Sequence, residues 1–252
     1  MSENVFGGKG VEAWAKVNFA LEVIRARDDG YHDIRSVVVP ISLSDTLAFE
    51  DTDGIIETVV DGCAPSSSMN GCCVASKNNL CTRAAVLLKD LTGHNGGVRI
   101  LLKKRIPVGG GLGGGSSDAA TVLKTLNKWW NTGLGSADLM EIGAKLGCDI
   151  PALIHGGAVL VEGRGEYVTA LSVSDDICEK GWWIVLANPG INVSTKDIYS
   201  RHSSSSLTLG RIHDNSIVSA LANGDIGAAA CGLFNDLQAT VCRKYPLIGI
   251  LV

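Results

Sequence analysis

Pro107-Val108-Gly109-Gly110-Gly111-Leu112-Gly113-Gly114-Gly115-Ser116-Ser117-Asp118 is the stretch on which the fold of this chain turns. Six of the seven residues from 109 to 115 are glycine, and two hydroxyls lead into an apolar run. Glycine reaches backbone conformations closed to other residues and lets a ligand approach the main chain, so successive N–H groups can converge on an anion. A following helix adds free N–H groups and the positive end of its dipole. A phosphate is the natural guest of such a loop. A flexible linker would be longer, richer in serine and not joined directly to an amphipathic helix.

The flanks agree with this reading. Val98, Ile100 and Leu102 alternate with Arg99 and Lys103, which predicts a strand entering the loop, while Ala119, Leu123, Leu126 and Trp130 mark one face of a helix leaving it. The spacing is not that of a Walker loop, since no lysine follows the glycines. Gly109, Gly111 and Gly114 satisfy G-x-G-x-x-G, but a run this rich in glycine would do so by composition alone. Lys103-Lys104-Arg105, the one dense basic run, reads as a local positive field beside the loop.

Upstream, residues 13 to 23 alternate with period two, which places Lys16 and Asn18 on one face and Val17, Phe19 and Leu21 on the other. Arg27 to Asp33 is a turn that presents Tyr31 and His32; the pair can stack on and hydrogen-bond a planar ligand, or simply pack, and the residues alone leave both open. Ser36 to Ile41 is a further strand, and the polar residues 51 to 77 read as hairpin connections. Leu80, Ala84, Leu87, Leu88 and Leu91 follow helical spacing between Asn79, a plausible N-cap, and Gly93, a stop.

Downstream, a helix over Ser136 to Leu146 runs into Gly147 and Cys148-Asp149-Ile150-Pro151. Asp149 would sit at the negative end of that helix, a setting that suits a base, although an aspartate stabilising the turn is the commoner case. Gly156 to Glu166 reads as a strand with a tight turn, and Trp183 to Ala187 as an apolar strand. A lobe boundary is expected between 166 and 180, a surface loop at Ser203 to Ser206, and helix around Ser216 to Leu221 and Ala228 to Leu237.

Composition narrows the classes. The 252 residues are 46% apolar, enough for a sizeable core, and a net charge of -4 argues against a nucleic-acid partner. The eight cysteines form no C-x-x-C pair and lack histidines at metal-ligand spacing. No charged-then-apolar leader and no apolar run of about 18 residues is present, so a cytoplasmic enzyme with reduced thiols is expected.

Taken together, Ala15-Lys16-Val17-Asn18, Asp29-Gly30-Tyr31-His32, Asn79-Leu80, the block from Arg105 to Glu166, and Asn188-Pro189-Gly190 with Ser194-Thr195 resemble the GHMP kinases, in family order over roughly residues 13 to 240. The resemblance implies an α+β fold of two lobes. Residues 1–170 would form a ribosomal-protein-like, ATP-binding α/β domain, and residues 171–252 a ferredoxin-like domain that is incomplete. The implied reaction transfers the ATP γ-phosphoryl group to the 2-hydroxyl of a methylerythritol unit carried on a cytidine diphosphate, in isoprenoid precursor synthesis. Pro107, Val108, Gly109, Gly110, Gly111, Leu112, Gly113, Gly114, Gly115, Ser116 and Ser117 would wrap the ATP phosphates, with Asn79 near the base. Asp149 would take the hydroxyl proton and Lys16 would stabilise the developing charge. Asn18 would place the erythritol portion, Tyr31 and Tyr199 would sandwich the cytosine, His32 would hydrogen-bond it, and Thr195 would lie beside the substrate. Mg2+ is the implied metal, with Ser116 or Ser117 as its candidate ligand, and the protein would be a monomer or homodimer with no membrane partner.

Two departures stand out. Trp14 replaces the proline more usual before Ala-Lys, and Asn235-Asp236-Leu237 is followed by only 15 residues where the family carries a glycine-serine-rich loop, a strand and a helix. A different small-molecule kinase of the superfamily, or a truncated nucleotide-binding module without catalysis, are the alternatives.

Overall fold

The computed structural model describes residues 10–61, 76–202, 212 and 216–251. The expected loose leader, the core of the polar stretch before Asn79 and the loop at Ser203 to Ser206 fall outside them. Two compact units interleave along the chain: one comprises 1–16, 41–108 and 112–155, the other 17–40, 109–111 and 156–252. The boundary expected at 170/171 falls inside the second.

Strands β1 (Val11–Ala26) and β2 (His32–Thr52) contribute to both units. In the first unit the latter half of β2 pairs antiparallel with β4 (Gly97–Lys103), from Thr46 opposite Lys103 to Thr52 opposite Gly97. Against β4 runs β3 (Ile56–Asp61), parallel, within the stretch expected to be connections only. Helices α1 (Leu80–Thr92) and α2 (Gly114–Trp129) lie on this sheet, joined by α3 (Ser136–Ala144) and α4 (Ile150–His155). The helical spacings read from sequence are the buried faces: Ala84, Leu88, Ala119, Leu123 and Leu126 share one core with Leu47, Phe49, Val98, Ile100 and Leu102. Asn79 caps α1 with its carboxamide oxygen on the Cys81 N–H at 2.8 Å, and Gly93 closes the helix in a left-handed conformation.

In the second unit the early half of β2 pairs antiparallel with β5 (Val159–Gly163), which turns into β6 (Tyr167–Ala170). Short helices follow: α5 (Asp175–Lys180), α6 (Thr195–Arg201), α7 (Ser216–Asn223) and α8 (Ile226–Cys231). β7 (Phe234–Asn235) then pairs parallel with β1 at Ala20 and Leu21, before α9 (Gln238–Lys244) and α10 (Pro246–Leu251). The run Ala228 to Leu237, expected as one helix, is therefore a helix and a strand. Trp183 to Ala187 forms no strand: an apolar run supplies the side chains of a strand but not the paired backbone that makes one, and Trp183 is 97% exposed.

Candidate active site

The glycine run is built from alternating left-handed residues, Gly109, Gly111 and Gly113, with φ of 73°, 74° and 69°. Such alternation turns successive N–H groups toward one concave side, a nest suited to anions. Gly113 is required twice over, as the left-handed N-cap of α2 and because a Cβ there would stand 2.9 Å from Lys16 Cγ. Gly114 through Ser117 belong to the first turn of α2 rather than to the loop. β1 holds this junction at two points: the Lys16 N–H donates to the Leu112 carbonyl at 3.0 Å, and the Ser117 hydroxyl donates to the Trp14 carbonyl at 2.6 Å. Trp14 thus keeps the strand entry intact through its backbone while its ring stays half exposed. Leu80 packs beside Gly115, which brings Asn79 to the start of α2.

Lys16 Nζ lies 3.6 Å from Asp149 Oδ2, the lysine 8% and the aspartate 51% exposed. Two residues that the sequence separates by more than half the chain are therefore one ion pair beside the loop. The setting of Asp149 differs from expectation. α3 ends at Ala144 and α4 begins at Ile150, so Asp149 stands in the turn between two helices, not only at the negative end of one. Pro151 is helical; in a first turn its missing N–H removes no hydrogen bond.

Lys104 is a second correction. It is not a source of positive field: its ammonium is buried between Asp45 and Asp118, donating to Asp118 Oδ2 at 2.8 Å. Asp45 Oδ1 also accepts the N–H groups of Arg105 at 2.5 Å and Ile106 at 2.9 Å. Burial pushes the Asp118 carboxyl up to about 7, against the pull of Lys104. Burial alone would lower Lys104, but its two carboxylates outweigh that and hold it above its ordinary value. The sequence did carry a signal for Asp45, which shares the strand parity of the buried Leu47 and Phe49.

The residues expected at the acceptor, Asn18, Tyr31, His32, Thr195 and Tyr199, all belong to the second unit, and of these His32 and Tyr199 are in ring contact. The Asn18 amide donates to Ser36 Oγ at 2.7 Å, and Ser36, wholly buried, donates to the Ala20 carbonyl at 2.7 Å. Nothing in a strand pattern marks a supporting hydroxyl, so Ser36 carries no signal in the sequence. His32 and Tyr199 are neighbours, ring centroids 5.1 Å apart at 35°. Burial, then the charge of His202, lowers the His32 pKa, and its Nδ1 is buried without a hydrogen-bond partner. Tyr31 is half exposed, with the Arg164 guanidinium 5.2 Å from its ring centre. Thr195, exposed, opens α6 after the N-cap Ser194. Just before it, Asn192 lies against Gly109, where a Cβ would meet its Oδ1 at 2.0 Å, and the Val193 N–H donates to the Gly109 carbonyl at 3.2 Å. Among the described residues no group of three or more His, Cys, Asp or Glu is arranged to hold a metal ion, and no helix is long and apolar enough to cross a membrane.

The strand, the left-handed glycine nest and the helix that follows all lie within residues 79–157, and it is this stretch that places the chain among the GHMP kinases. Residues 79–157 match the family model for the GHMP kinases N terminal domain. The chain is 38% identical over 241 residues to 4-diphosphocytidyl-2-C-methyl-D-erythritol kinase of Symbiobacterium thermophilum, covering 96% of this chain and 81% of that one. The same enzyme of Thermodesulfovibrio yellowstonii is 39% identical over 243 residues, covering 94% and 79%. A crystal structure of 4-(cytidine 5'-diphospho)-2C-methyl-D-erythritol kinase superposes with a TM-score of 0.71 at 31% identity, over 96% of this chain and 80% of the other. The chain belongs to the 4-diphosphocytidyl-2-C-methyl-D-erythritol kinase family.

Proposed function

We propose that this chain phosphorylates the 2-hydroxyl of 4-diphosphocytidyl-2-C-methyl-D-erythritol with ATP, in the non-mevalonate route to isoprenoids. The observation that carries the reading is the Lys16–Asp149 pair at 3.6 Å beside the glycine nest. Phosphoryl transfer asks mainly for positioning and charge neutralisation. The nest amides and the first turn of α2, from Pro107 to Ser117, receive the phosphates, and Asn79, whose oxygen caps α1, turns its nitrogen to the base. Asp149 accepts the proton of the attacking hydroxyl as the oxygen–phosphorus bond forms and ADP leaves. Lys16, held by the Leu112 carbonyl through its backbone, keeps the carboxylate oriented and offsets the charge that develops.

The acceptor is read by Asn18, Tyr31, His32, Thr195 and Tyr199. The unpartnered His32 Nδ1 supports a hydrogen bond to the cytosine, with Tyr31 and Tyr199 as stacking surfaces. Magnesium belongs to the same reading, where it would neutralise phosphate charge. The donor set fits an ion carried chiefly by nucleotide oxygens and water, with Ser116 as the protein's hydroxyl ligand, since Ser117 is turned to the Trp14 carbonyl. Residues 1–170 and 171–252 are the proposed functional domains, in a cytoplasmic monomer or homodimer with no nucleic-acid partner.

An ADP-release assay with and without the cytidylylated acceptor tests this. Release that depends on the acceptor is the expected result; release driven instead by mevalonate, homoserine or a sugar, or none with any acceptor, would overturn it.

A further inference from the structure

The most deeply buried carboxylates among the described residues of the first unit are Asp45 and Asp118, not Asp149. Asp45 is 0%, Asp118 3% and Lys104 11% exposed at the side chain, and they come from three separate places: β2, the residue just past β4, and α2 immediately after its first turn. Burying a charge is costly unless it is paired and hydrogen-bonded, so three together need a compensating arrangement. They have one, because Lys104 donates to both carboxylates and Asp45 accepts two backbone N–H groups besides.

Those two N–H groups belong to Arg105 and Ile106, the residues that deliver the chain into the glycine run, while Asp118 immediately follows Ser117 on the way out. A run with six glycines has little preference of its own for one backbone conformation. Its shape is set by whatever fixes its ends. We propose that Asp45, Lys104 and Asp118 form a buried ionic clamp that fixes the entry and exit of the glycine loop, making all three positioning residues for ATP. The proposal rests on the reading of that loop as the phosphate cradle. It also explains why a polar triad occupies a place that apolar residues of similar volume could fill at no loss of stability.

Two variants separate positioning from mere stability. The neutral triple D45N/K104M/D118N removes every charge while keeping shape and an acceptor for the backbone N–H groups. Asp118→Leu cuts only the exit arm and leaves Lys104 paired with Asp45. Both are expected to raise the Kd for ATP and the KM for ATP about tenfold or more, with kcat within about threefold of the parent. Asp118→Asn, which still accepts from Lys104, should restore both to within about threefold. Isothermal calorimetry with ATP in the absence of acceptor gives the Kd, and a thermal midpoint records folding independently. If Asp118→Leu folds and binds ATP as the parent does, the clamp is structural only and the proposal fails. Gly111→Ala distinguishes the two levels: should it leave ATP affinity unchanged, the cradle reading itself is wrong, whereas weakened binding by Gly111→Ala with intact binding by the clamp variants rejects the clamp alone.

Discussion

In the first unit Lys104 and its two carboxylates are sealed in the core, whereas in the second Arg25 and Arg27 hold Asp33 at 2.6 and 2.7 Å, and Arg35 holds Glu162 at 2.9 Å, around an open cleft of about 420 Å3. The chemistry of the pairs is alike but the surroundings are not. Water screens the rim pairs, so each contributes little, while breaking a buried pair costs about 3–5 kcal/mol. The buried triad of the first unit is thus built from groups that cannot move cheaply, and the cleft of the second from ion pairs that can. ATP affinity should depend steeply on the first set and acceptor affinity gently on the second, while turnover itself hangs on the Lys16–Asp149 pair.

The steepest dependence belongs to Asp149. Asp149→Asn keeps size and hydrogen bonding but cannot accept the hydroxyl proton, so kcat should fall by about 10²–10⁴-fold with the Kd for ATP nearly unchanged. Single-turnover kinetics with saturating ATP give this directly. Full activity in the variant would remove Asp149 from the role of base and leave the contrast between the two sides without its chemical centre.

Next in size is a comparison inside the glycine loop. Gly111 and Gly113 share a left-handed backbone, but a Cβ at Gly111 meets nothing within 4 Å while one at Gly113 meets Lys16. Alanine at either position carries the backbone penalty of about 1–2 kcal/mol, which should weaken ATP binding. Only Gly113→Ala also displaces the Lys16 side chain, so its kcat should fall about tenfold further than that of Gly111→Ala. Equal kcat values for the two would mean that Lys16 does not act in the chemical step.

How much of this was legible beforehand follows from what sequence patterns encode. Period and punctuation gave α1 with both its caps, β4, the glycine turn and α2, because each depends on neighbours along the chain. Lys16 and Asp149 could be named singly, yet their pairing needed three dimensions, and its assignment came from resemblance to a family. Lys104 departs from the local positive field that its basic run suggests because the carboxylates that neutralise it lie 59 and 14 residues away. Asp118 stands in plain view in Ser-Ser-Asp, but only the buried stretch of α2 from Ser117 to Leu123 reveals that an acid there must be matched. Trp183 to Ala187 failed for the converse reason, since an apolar run does not say whether a partner strand lies beside it.

The smallest expected effect tests the gentler side of the molecule. His32 has its pKa lowered, mainly by burial and then by His202, so the folded state resists protonating it while the unfolded chain does not. As pH falls below 6.5, the ordinary value for histidine, the unfolded state takes up more protons than the native one, and stability declines until the folded group also titrates. His32→Gln removes that contribution while keeping a hydrogen-bonding side chain. Urea midpoints measured at pH 7.5 and 5.5 should therefore show the variant gaining on the parent at the lower pH, by a modest amount because the ring is only partly buried. A gap that stays constant between the two pH values would mean that His32 is as free to take a proton as a histidine in water, and the neutral ring proposed to meet the cytosine would lose its physical basis.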